Sequence, residues 1–118
     1  MNLSHDLQRA LATAGAKLRT RYPFWLRPFL ARDVIGITLG RHIYLSPRVA
    51  ALPPAKAEQL IRHELAHVRQ IQRLGLIRFL WQYGREYVRH RRAGLPSAAA
   101  YDAISFEQEA RAAEAAAR

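Results

Sequence analysis

Residues 54–74, PAKAEQLIRHELAHVRQIQRL, decide the reading of this chain. Nothing inside residues 55–74 breaks a helix. The run starts on Pro54, where a first helical turn tolerates proline, and Gly75 follows its last residue. One long helix is therefore expected. Within it His63 and His67 stand four residues apart, which puts both imidazoles on the same helical face. Glu64 lies between them, directly after the first histidine.

Outward from this helix, the pattern changes in both directions. Upstream, Ile35, Ile37 and Leu39 alternate with small or polar residues. Gly40-Arg41 then offers a glycine-first turn, and His42 to Leu45 returns in extended form, so a β-hairpin is expected over residues 34–46. Leu3, Leu7, Leu11, Ala14 and Leu18 recur at helical spacing and predict an amphipathic helix over residues 4–19. Between the two, Pro23 and Pro28 sit among Tyr22, Phe24, Trp25 and Phe29, which predicts an aromatic loop or a broken helix over residues 21–33, within an N-terminal region of residues 1–33.

Downstream, residues 76–92 carry a wide apolar stripe that includes Ile77, Leu80, Trp81, Tyr83 and Val88, opposed by Arg78, Gln82, Arg85 and Arg89. In a domain this small such a stripe is expected to face the core, leaving the arginines solvated. Gly94-Leu95-Pro96-Ser97 ends that helix. Ser105 with Gln108 three residues later reads as a capping box opening a final alanine-rich helix over residues 105–118. The sum is an α+β chain, mostly helical, forming one domain over residues 1–118 with one modest core.

Composition narrows the chemistry. There is no cysteine, so a bound metal would be held by nitrogen and oxygen alone. The formal charge is +10, and only Lys17 and Lys56 of the basic residues are lysine. Arginine in that excess suits phosphate, carboxylate or anionic lipid. No segment has the roughly 20 apolar residues of a membrane span, and the N-terminus lacks a signal-like apolar run, which makes a cytoplasmic protein the simplest expectation.

The two histidines supply half of a mononuclear zinc site, which in a catalytic setting takes three protein ligands and keeps a fourth position for water. Glu64 is placed to act on that water as a general base. Candidates for the third ligand are Glu86, His90, Asp102, Glu107, Glu109 and Glu114, with His5 and His42 set aside as exposed ends or turns. Glu107 leads, because the first turn of the last helix favours an ionised carboxylate. Glu109 points about 200° away around the helix and more naturally meets an arginine. Glu86 and His90, also four apart, form the half of a possible second site, set among arginines.

His63 to Gln70, followed some 40 residues later by Phe106-Glu107-Gln108-Glu109-Ala110, resembles the gluzincin metallopeptidases, in particular small bacterial domains of the minimal zincin type. The resemblance spans roughly residues 35–115. It implies a minimal zincin-like fold and Zn2+ as cofactor. It also implies a glutamate ligand followed by two variable residues and an alanine, which Glu107 and Ala110 match. An edge strand over Ile43 to Leu45 would bind an extended peptide or protein substrate. Where several gluzincins carry an aspartate that orients a zinc histidine, this chain has Arg111. Asp102 or Glu109 would have to replace it, and Tyr83, Tyr87 or Tyr101 would serve the oxyanion.

Two other readings compete with a peptidase. One is a zinc-binding domain without turnover. The other is a basic module: eight arginines between residues 62 and 92, interleaved with Trp81, Tyr83 and Tyr87, could hold an anionic membrane surface, an acidic partner or, less favourably, nucleic acid.

Overall fold

The computed structural model describes residues 3–20, 22 and 36–115. The aromatic stretch at residues 23–33, the first two residues of the expected hairpin and the last three of the expected final helix lie outside them.

The first helix, α1 (His5–Ala14), starts where Ser4 Oγ accepts the Leu7 N–H and turns Leu7 and Leu11 into the core. It ends five residues earlier than the leucine spacing predicts. Gly15 adopts the left-handed region at φ 65°, its N–H donates to Ala12, and the Ala16 N–H donates to Leu11, which closes the helix as a Schellman turn. The chain leaves that turn extended, as β1 (Lys17–Arg19). Leu18 still points inward, but by strand alternation, which mimics the next step of a helical period at this one residue.

The hairpin forms as β2 (Gly36–Leu39) and β3 (His42–Leu45), with Gly40 at φ 62° in the turn. The sheet order is β1-β3-β2: β1 runs parallel to β3 and β2 antiparallel to it. This corrects the expected edge. Ile43 to Leu45 is the central strand with both sides paired, so a substrate cannot add there, and the edge nearer the second helix belongs to β2.

A 3₁₀ turn (Pro47–Ala51), whose first amide is capped by Ser46, leads to α2 (Pro54–Leu74), then α3 (Leu76–Arg92), α4 (Ser97–Asp102) and α5 (Ser105–Ala115). The architecture is thus α+β and mostly helical, with a short helix, α4, where the sequence suggests only a break. Leu7, Ile43, Leu45, Val49 and Ile61 make one core between α1, the sheet and α2. Ile71, Phe79, Ile104 and Phe106 make a second one between α2, α3 and α5. Because α2 borders both, its middle turns are buried from Glu64 to Val68.

Two expectations about the later helices change. The stripe of α3 is wider than the surface available to cover it: Phe79 is buried, but Trp81 stays 72% exposed and Ile77 85%. The capping box does not form either. The Ser105 hydroxyl donates to Glu86 Oε2 at 2.7 Å, while the Gln108 amide bonds the Ile104 carbonyl.

Glu86 is accordingly the pin between α3 and α5. Its Oε1 also accepts the Ser105 N–H at 2.9 Å, and it is buried. Burial alone would raise its pKa, but the bonds from Ser105 and Gln82 outweigh that and bring it below the ordinary carboxylate range. A depressed folded pKa adds stability above the unfolded value and loses it as the pH falls through the folded one. Thermal unfolding of Glu86→Gln should show a loss of about 1–3 kcal/mol near neutral pH. Its melting temperature should also fall less than the wild type's on acidification below the usual carboxylate pKa, and parallel acid profiles would contradict this role.

Candidate metal centre

Three side chains from two helices converge beside the buried turns of α2. His63 Nε2 lies 2.8 Å from Glu107 Oε1, and His67 Nε2 lies 3.1 Å from Glu107 Oε2. One donor atom from each residue falls within 4.8 Å of the others. Ligands about 2.0–2.1 Å from one tetrahedral ion stand roughly 3.3–3.4 Å apart. Two imidazoles and a carboxylate with these separations suit such an ion, with both Nε2 atoms turned toward Glu107.

The outer ring nitrogens are each fixed by a partner. His63 Nδ1 donates to Glu114 Oε1 at 2.7 Å. His67 Nδ1 donates to Gln70 Oε1 at 2.8 Å. The amide of Gln70 in turn donates to the Phe106 carbonyl at 3.1 Å and to Glu109 Oε1 at 3.0 Å, so its orientation is determined by three bonds. These bonds orient both rings so that Nε2 faces Glu107, to which it donates here through a proton that a metal ion would displace.

Glu107 is almost wholly buried, and Tyr83 donates to its Oε2 at 2.6 Å. Burial works against its charge, yet the bonds from His63, His67 and Tyr83 hold its carboxyl far below the usual range. The histidines shift the opposite way: burial lowers them, and the Glu107 carboxylate more than restores the loss and raises both. The Tyr83 and Tyr101 hydroxyls are pushed up, first by burial and then by Glu107, so both remain proton donors.

Glu64 stands apart from this triangle although it neighbours His63 in sequence. Its Oε2 accepts the Thr38 hydroxyl at 2.7 Å, which ties it to β2. Gly36 on the same strand lies so close that a β-carbon there would sit 3.4 Å from Glu64 Oε1. Burial raises its pKa against the lowering effect of Thr38 and the two imidazoles.

The remaining candidates have other partners. Glu109 reaches Gln70 and, at 3.7 Å, Arg73; Glu114 orients His63; Glu86 holds Ser105. Arg111, at the position of the expected aspartate, pairs with Asp102 at 3.5 Å and also donates to its carbonyl. Asp102 therefore takes no part in orienting a histidine. The Tyr87 hydroxyl pairs with Ser97. His90 does not join Glu86 in a second site: its buried Nε2 has no hydrogen-bond partner among the described residues, and the same is true of His42 Nδ1. His5 is exposed on α1.

Sequence reasoning overlooked Thr38 and Gln70 and weighed Glu114 only as a ligand. Two of these left a signal in the spacing. Gln70 is three residues after His67, and Glu114 is two helical turns after Glu107. Thr38 left none, since its contact depends on how the sheet lies over α2.

Residues 31–75 match the family model of the eCIS core domain, a small domain of extracellular contractile injection systems. The matched span contains β2, β3 and all of α2 with His63, Glu64 and His67, and ends before Glu107. No curated protein and no solved structure matches the chain.

Proposed function

We propose that this chain holds one zinc ion through His63, His67 and Glu107 and hydrolyses peptide bonds with Glu64 as the general base. One observation carries the reading: a closed His–His–Glu donor triangle stands beside a second carboxylate, Glu64, that is kept out of it and fixed to a strand. Imidazole and carboxylate donors without thiolate suit zinc in a hydrolytic site. An ion bound there supplies Lewis acidity, polarising the scissile carbonyl and making water a nucleophile at neutral pH.

The protein's own groups do the rest. Glu64, with its pKa raised by burial, accepts the proton of the attacking water and returns it to the leaving amine. Thr38 couples that carboxylate to β2, whose outer edge is unpaired among the described residues and would offer backbone groups to an extended peptide by strand addition. Tyr83 and Tyr101 both interact with Glu107, and Tyr101, 43% exposed, is the one of the two that a substrate can reach. It serves as hydrogen-bond donor to the developing oxyanion.

The test is hydrolysis of a mixed library of quenched fluorescent peptides by protein stripped with a chelator and reloaded with graded zinc. Cleavage should rise in step with zinc occupancy. Stoichiometric zinc uptake with no cleavage of any peptide would reduce the chain to a zinc-binding domain. On a peptide that is cleaved, Tyr101→Phe should lower kcat by roughly 10²-fold with KM little changed. A change confined to KM would assign Tyr101 to substrate binding instead.

A further inference from the structure

Helix α3 is covered on one side only. At about 100° per residue, Phe79, Tyr83 and Glu86 share the arc that faces the rest of the molecule. Ile77, Trp81 and Val88 fall within about 40° of one another on the opposite side, 85%, 72% and 47% exposed, with Leu80 on their shoulder at 56%. Arg78, Arg85, Arg89 and Arg92 occupy the next 60° or so. None of these four arginines forms an ion pair among the described residues. The helix has one carboxylate, Glu86, and it is turned inward onto Ser105.

We propose that this face of α3 docks on an anionic bilayer surface, with the helix axis along the membrane plane. The inference is independent of the peptidase reading. Ile77, Leu80 and Trp81 would enter the boundary between headgroups and acyl chains, and the row of guanidinium groups would pair with lipid phosphates. Among the described residues no helix is long and apolar enough to cross a membrane, so the association is superficial. Charge argues for this occupant. A second copy of the chain would bring two unpaired arginine rows, and two chains of net charge +10, against each other. An anionic surface meets both the local row and the overall charge. Shape agrees: Leu80, Trp81, Gly84, Arg85 and Val88 line an open hollow of about 540 Å³ on the outside of the helix, apolar on one side and basic on the other, which a soft lipid surface can fill.

Co-sedimentation of the full chain with vesicles tests the proposal. The wild type should bind vesicles containing about one third phosphatidylglycerol, release them as salt rises, and ignore pure phosphatidylcholine. The triple variant Arg78→Gln, Arg85→Gln, Arg89→Gln should bind roughly 100-fold more weakly. Ile77→Ser with Trp81→Ser should lose the binding that survives at high salt. All five side chains are exposed, and circular dichroism will show that both variants fold. The proposal is overturned by equal binding of wild type and arginine variant, or by no vesicle binding. It is equally overturned if the same surface binds polyglutamate but not vesicles, or if light scattering finds a dimer that Trp81→Ser abolishes.

Discussion

Glu64→Gln is expected to keep a full equivalent of zinc and to lose peptide hydrolysis by about 10²–10⁴-fold. Glutamine is the same shape, and its carbonyl oxygen can still accept from Thr38, so the fold and the β2 contact persist. The donor triangle does not include Glu64, so metal content should not move. Only the capacity to take a proton disappears. Zinc analysis beside cleavage rates on one preparation separates the cases. Undiminished cleavage would remove Glu64 from the mechanism, and lost zinc would mean that it is a ligand.

Much of the site could be read from the chain because its chemistry rests on local geometry. His63 and His67 are one helical turn apart, and that relation needs no tertiary structure to interpret. Glu107 was harder, since it depends on α5 packing beside α2, and only its first-turn position and the following Ala110 singled it out. Gln70 and Glu114 obey helical spacing too, but relative to residues whose roles had to be known first. The fold was least legible where one pattern serves two structures. Leu18 fits both a helix continuing from Leu11 and Ala14 and a strand beyond Gly15, and only the reversal at the glycine decides between them. The apolar width of α3 was read as core because burial is its usual purpose. What the sequence could not show is that only the arc of Phe79, Tyr83 and Glu86 meets the rest of the molecule, leaving Ile77, Leu80 and Trp81 uncovered.

The second large effect belongs to Glu107→Ala. Zinc affinity should fall by roughly 10²–10⁴-fold if three donors share a binding free energy of about 10–16 kcal/mol evenly. Even without metal the variant should be about 3–5 kcal/mol less stable, because His63, His67 and Tyr83 all lose the buried carboxylate they point to. Equilibrium unfolding in chelator and competitive zinc titration measure the two effects separately. Glu109→Ala and Glu114→Ala reach the histidines only through Gln70 or an outer ring nitrogen, and each should weaken zinc by about 10–100-fold. A larger zinc loss in Glu109→Ala than in Glu107→Ala would reverse the assignment of ligand and support.

His63 and Glu107 are 44 residues apart in the chain and 2.8 Å apart in space. In a protein without cysteine, this contact works as a non-covalent clasp at the neck of a long excursion that contains all of α3 and α4. Fastening the neck removes loop-closure entropy from everything inside it. The anchors of α3 are Phe79 in the second core, the Tyr83 bond to Glu107 and the Glu86 pin to Ser105, all on one side of the helix, so its far side can fray while the neck stays shut. Hydrogen exchange should therefore see the α3 amides open before those of α2, which makes the helix with the exposed apolar face more easily released than the one that carries both histidines.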